Sequence, residues 1–423
     1  MKSSRMHKPL SATSWFVMLL ILLMSQHVPV LGKFIALTVI AIPILAGYLL
    51  WRRLAKLSPT LMLLYIGATI IVIISFAINS DNDLVSQDSA IYLIYLLVPF
   101  AMKISAPYAW RIGAAAGFWR GFRLIMILTS VLGLLQLLLG EHFFSFRDFL
   151  PDDFRVMGYN TTNEIVYGVP VYRANGFFFY EPSFFSQFLG LAILIEMRTK
   201  RNIGILALFL AAMIASFSGT GLILLGVGLI VMASSSAKVS YREGVITLLP
   251  LIVLGLISVY VFPEFFTARL DEFFTVNSSA YIRFVSPYLY IFHSYSSSFG
   301  NAIVGVGSGM ATSLRNADVM ADFSGISKIF FEYGLFGGGF VTFLYLIYCE
   351  KAKMVSWIRW PLILVQFFLN NGIFTPITLV FFILISLFAT SDCFQRRPFR
   401  TFVRGGLVNS DSPLSGNLPQ PKP

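Results

Sequence analysis

Basic residues gather in two stretches that border apolar, membrane-helix-like sequence. Arg147, Arg155 and Arg173 lie in the first; Arg269, Arg283, Arg315 and Lys328 lie in the second. A guanidinium fork meets phosphate oxygens at two points, and such contacts strengthen where water is scarce. The chemistry these residues suggest is recognition of a phosphate or diphosphate. Acids such as Glu141, Asp148, Asp152, Asp153, Asp318 and Asp322 lie among them, so solvated charge balance accounts for many of the cations.

The densest stretch is RANGFFFYEPSFF, residues 173–185. Gly176 permits a tight turn that delivers Arg173, and Pro182 suits the first turn of a helix. Glu181 then sits at a helix N-terminus, where two readings stand side by side. A carboxylate there is favoured by the helix dipole as a cap, or it is placed to take a proton from a substrate hydroxyl. Asp322 and His293 are the bases considered behind it. The aromatics Phe177, Phe178, Phe179, Tyr180, Phe184 and Phe185 are expected to form an interfacial belt. In the second stretch Arg283 precedes an amphipathic surface helix expected at 284–293. GVGSG at 305–309 lacks the lysine of a nucleotide loop. Its Gly305 and Gly307 are expected to turn the backbone so that N–H groups face a phosphate. Arg315 adds a further cation, and FFEYGLFGGG at 330–339 brings Glu332 to the start of an apolar span. With no HExxH and no Cys/His set, neither metal nor cofactor is expected. Cys349 and Cys393 offer no disulfide framework.

What must hold these residues is a membrane scaffold. The 423 residues are 57% hydrophobic and only 12% charged, against about 25% charged in soluble proteins. Apolar stretches suggest about twelve transmembrane helices in an all-α fold. They fall near 10–27, 33–51, 60–78, 89–105, 122–140, 183–197, 202–217, 219–234, 244–262, 331–349, 356–370 and 372–390. One broken helix is the alternative for 202–234, and a simple kink is the alternative for the NNG at 370–372. Every second loop is basic, which places both termini in the cytoplasm and explains the Lys/Arg excess without nucleic acid. Residues 1–404 form one polytopic domain with long outside loops at about 141–182 and 263–330. Residues 405–423 are expected to be a disordered cytoplasmic tail.

Three features together resemble the bacterial Wzy-type polysaccharide polymerase and O-antigen ligase superfamily. They are RANGFFFYEPSFFSQF, then Arg283 followed by an aromatic-rich helix and IVGVGSG, then FFEYGLFGG. The resemblance implies a GT-C-like fold and a metal-independent glycosyltransferase at the outer face of the bacterial inner membrane. The substrate it implies is an undecaprenyl-diphosphate-linked oligosaccharide, with membrane lipid around it and a flippase and chain-length co-polymerase as partners. Arg173 and Arg283 would hold the diphosphate, and Gly176 and Pro182 would shape the turn. Ligases typically carry His-Asn before the glutamate of the third motif; here Phe323 and Ser324 stand in those places. That departure argues against a ligase and favours Glu181 as base, as in an exopolysaccharide polymerase. The rival class is a lipid-linked oligosaccharide flippase or transporter, which usually keeps ionisable groups inside its spans.

Overall fold

Local sequence sets where each helix begins. Ser11 caps α1 (Ala12–Ser25), accepting from Ser14 N–H at 3.1 Å. After α2 (Thr38–Trp51), proline opens α3 (Pro59–Ile78). Next come α4 (Gln87–Leu97) and α5 (Tyr108–Leu139). Proline again opens α6 (Pro182–Thr199). Asn202 caps α7 (Ile203–Ala215), and a tight turn leads to α8 (Gly219–Ser235). The described chain from 271 onward carries four short helices: α9 (Ser279–Phe284), α10 (Ser286–Ser297), α11 (Phe299–Val304) and α12 (Met310–Ser313). The long α13 (Gly325–Lys351) precedes α14 (Ser356–Leu364), a π-helical turn (Val365–Leu369) and α15 (Pro376–Phe388).

This computed structural model describes residues 10–31, 35–142, 144–157, 159, 164, 172–199, 202–235, 271–369 and 371–394. The span expected at 244–262, the basic residues before position 10, Arg269 and the tail from 405 lie outside them. Among the described residues, three helices are long and apolar enough to cross a membrane: α3, α5 from Trp110, and α13. Seven shorter apolar helices accompany them there. The chain is mostly helical, but the all-α expectation misses two small ribbons. β1 (Pro29–Leu31) pairs with β2 (Ile35–Ala36), and β3 (Ala55–Leu57) pairs with β4 (Met102–Ile104).

Helices α6 and α15 form the centre. Every residue of α15 and all of α6 from Pro182 to Glu196 are buried; α15 is apolar on nearly every face, whereas α6 also buries Ser183, Ser186, Gln187 and Glu196. Around them α8 and α7 pack on α6, α1 on α5, and α3 on α13. Outward-facing Leu63, Ile66, Ile70 and Ile73 on α3 leave an apolar exterior suited to lipid.

One expectation about the helices changes. The expected pair 202–217 and 219–234 is α7 and α8, while α5 starts at Tyr108 rather than near 122, which draws Arg111 and Arg120 into it. Arg123 makes a two-point ion pair with Glu196 of α6, at 2.7 and 2.9 Å. Glu196 is 2% exposed and also accepts from Asn202 N–H. Truncating one partner of a buried pair strands the other charge, at a cost of about 3–5 kcal/mol. Arg123→Ala is therefore expected to lower the unfolding temperature in detergent sharply. Arg123→Leu combined with Glu196→Leu should lower it less than either single change; an additive loss would contradict this account.

Candidate active site

Residues 172–181 are held against the bundle by α5 and by the end of α1. Gln136 on α5 donates to Asn175 Oδ1 at 2.8 Å and to Phe144 O at 2.6 Å. Its own oxygen accepts from the N–H groups of Asn175 and Phe177. Gly176 has φ +67°, and a Cβ there would lie 2.6 Å from the Phe185 ring; Gly133 of α5 flanks the same ring. Just past α1, Gln26 and His27 both bond Phe178 O, at 2.6 and 2.7 Å, and Tyr180 Oη donates to Gln26 O. The phenylalanines expected as an interfacial belt are instead largely packing. Phe178, Phe179, Tyr180, Phe184 and Phe185 are buried.

Glu181 is the residue before α6. Its carbonyl accepts from Phe185 N–H at 3.2 Å, and its Oε2 accepts from Ser183 Oγ at 3.1 Å. The residue also lines a cavity of ≈ 290 Å³. Arg283, Arg315, Asp322 and Lys328 line it too. Asp322 lies between the two arginines, 2.9 Å from Arg315 and 3.5 Å from Arg283. Lys328 Nζ sits 4.7 Å over the Phe374 ring and 3.9 Å from Glu332. Tyr159 stacks flat on Tyr180, with centroids 3.8 Å apart. Burial, and then the charge of Glu181, push its phenol up to about 12, so it stays protonated at neutral pH. Asn371 and Thr375, from the break between α14 and α15, complete that side.

The other expected residues have different duties. Inside α13, Gly334 breaks the helix with φ 64°. The carbonyls released there find partners in the glycine loop: Val306 N–H donates to Phe331 O and Gly307 N–H to Glu332 O, both at 3.1 Å. Gly305 N–H donates to Asn301 O. A Cβ on Gly305 would lie 2.3 Å from Glu332 backbone, and one on Gly334 2.4 Å from Ile303 O. So Gly305 and Gly307 do not present N–H groups to the cavity; they patch a helix break. Glu332 is fully buried and holds Ala311 N–H at 3.2 Å, positioning the cavity wall from behind. Arg173 is half-buried and off the cavity lining. His293 and His142 are exposed and away from it. The amphipathic helix expected at 284–293 is α10.

The cavity thus joins an acid at a helix start to three cations, which suits transfer to a hydroxyl with departure of an anionic group. A family model described as WcaD colanic acid polymerase matches residues 13–317. The chain belongs to this family. No curated protein matches it. The WcaD match runs from α1 through α12, including Glu181, Arg283 and Arg315. It stops short of α13, so the motif at 330–339 lies beyond it. WcaD-type polymerases are Wzy-like exopolysaccharide polymerases, and the superfamily resemblance stands. Sequence reasoning passed over Gln136, Tyr159 and His27. The polar NNG inside an apolar run was the available signal for Asn371, because polar breaks at such depth are tolerated only where protein or a cavity meets them.

Two outcomes follow. Gly334→Ala should destabilise the chain, since both the positive φ and the 2.4 Å approach oppose a side chain; backbone strain alone costs about 1–3 kcal/mol. Native-like unfolding temperature in detergent would refute the interlock. His27 is fully buried, and desolvation, aided by Arg147, lowers its pKa to about 4 from 6.5. Below pH 6.5 the unfolded chain takes up a proton that the folded chain refuses until about pH 4. Stability is therefore lost as pH falls through that window, measurable as a lower unfolding temperature at pH 5 than at pH 7. His27→Gln, which keeps a donor for Phe178 O, should shrink that difference.

Proposed function

We propose that this polymerase moves a growing glycan from undecaprenyl diphosphate onto a hydroxyl of a lipid-linked repeat unit, at the outer face of the bacterial inner membrane. The observation that carries the reading is the single cavity shared by Glu181, Arg283 and Arg315. Glu181 takes the acceptor proton as the acceptor oxygen bonds the anomeric carbon. The bond from that carbon to the diphosphate oxygen breaks, and the electron pair leaves with the diphosphate. Arg283, Arg315 and Lys328 meet the charge that develops there, with inversion at carbon. Asp322 balances the two arginines until a diphosphate competes for them. Arg173, on the loop leading to Glu181, holds the lipid side of the diphosphate.

The same proposal includes twelve crossings of GT-C-like type with both termini cytoplasmic. Residues 1–404 form one domain, the outside loops at 141–182 and 263–330 form the site, and no metal takes part. A flippase and a chain-length co-polymerase act beside it. The flippase reading for this chain is disfavoured by the Arg123–Glu196 pair. Its two charges bond each other, about 22 Å along α6 from Glu181. A ligase is disfavoured by Phe323 and Ser324, which line the cavity where a ligase would carry His-Asn.

Purified chain in nanodiscs with lipid-linked repeat units tests this. Arg283→Ala and Arg315→Ala should each slow polymer formation by about 10²-fold or more, with unchanged protein level, while single lipid-linked units accumulate. Polymer of wild-type length from Arg283→Ala would overturn the site. Units held on the cytoplasmic leaflet would favour the flippase.

A further inference from the structure

The end of the bundle away from the cavity carries a charge arrangement that the proposed chemistry does not use. In the β3–β4 ribbon Lys56 stands directly opposite Lys103, so both side chains leave the same face of the ribbon. Ala55, Met102 and Ile104 are buried, which pins the register and keeps the two lysines together. Like charges placed directly opposite weaken a strand pair. Among the described residues Lys56, Lys103 and Arg53, the exposed residue shortly before β3, make no ion pair. Glu350 lies near the end of α13, which packs on β4, yet it pairs with neither lysine. The fold thus brings two cations together and supplies no anion of its own to offset them.

Depth says what kind of anion. β3 leads through Ser58 into α3, whose 20 residues run about 30 Å, the thickness of a bilayer's hydrocarbon core. The far end of α3 is tied to the glycine loop behind the cavity wall, where Asn79 donates to Gly305 O. The lysines therefore stand at the opposite membrane boundary from the cavity. Trp51 and Tyr108, 76% and 59% exposed, flank the ribbon in sequence; such rings settle at headgroup level. From Leu63 onward α3 presents its lipid-facing stripe. Lysines at that level meet the phosphates of the bilayer. Free phosphate offers the same oxygens, but the exposed Leu57 and Leu63 add apolar surface that only a ligand with acyl chains would cover.

We infer that the β3–β4 ribbon is a binding site for an anionic phospholipid, whose phosphate lies between the Lys56 and Lys103 ammonium groups and relieves their repulsion. The inference does not depend on the polymerase reading. The test compares unfolding temperatures of the full chain in nanodiscs of phosphatidylcholine alone and in nanodiscs that also contain phosphatidylglycerol. Wild type should gain stability from phosphatidylglycerol. Lys103→Gln should unfold higher than wild type in phosphatidylcholine, because the repulsion is gone, and should gain less from phosphatidylglycerol. Lys56→Gln should behave alike. Arg359→Gln removes one charge from α14 instead and should keep the wild-type gain. Native mass spectrometry should show phosphatidylglycerol held about fivefold more weakly for each lysine removed. An undiminished gain in both lysine variants, or an equal loss in Arg359→Gln, overturns the site. The same gain from inorganic phosphate in phosphatidylcholine nanodiscs overturns the lipid as its ligand.

Discussion

Backbone groups released by a helix break inside an apolar bundle must find partners within the protein. The architecture around the cavity follows from how that demand is met. At Gly334 the chain interrupts α13, and loop 305–309 supplies the missing donors to Phe331 O and Glu332 O. Ser75 Oγ from α3 adds a second donor to Glu332 O at 3.0 Å, and Asn79 of α3 reaches Gly305 O. One break therefore ties α3, the glycine loop and α13 into a unit. Arg315 and Asp322 stand on the chain between that loop and the helix, so their placement depends on this tie.

The opposite side of the cavity is organised by a different device, the fit of rings against glycine. Phe185 occupies space left by Gly133 and Gly176, which lets the loop before α6 lie close on α5. Gln136 then satisfies the buried amides of that loop. Glu181 emerges from this rigid segment at the mouth of a helix. The helix terminus that fixes its position also favours its charge.

Much of the scaffold was legible in the sequence where a breaker and an apolar run agree, as at Pro182 or Pro59. The site was legible to the extent that arginine chemistry is local: Arg283 and Arg315 do face one cavity with Glu181. The glycines misled. A GxG pattern announces positive φ but says nothing about whether the adjoining amides face a ligand or a broken helix. The aromatic run misled too, because the glycines that make room for Phe185 include one on α5, far away in sequence. The pairing of Arg123 was not legible, since its partner, Glu196, lies 73 positions on. Tyr159 occupies a stretch with no periodicity at all, and its stack on Tyr180 gives it a place.

The π turn at 365–369 holds a helix with one extra residue of slack between two firmly packed segments. Removing or adding a residue there would rotate the 371–375 wall by roughly 100° about the axis while α15, buried on every face, keeps its seat. The bundle thus has a point where a single-residue length change reaches the cavity lining through Asn371 and Thr375, and it does so at the expense of the bonds that Tyr92 and Thr378 make to Phe374 O and Gly372 O.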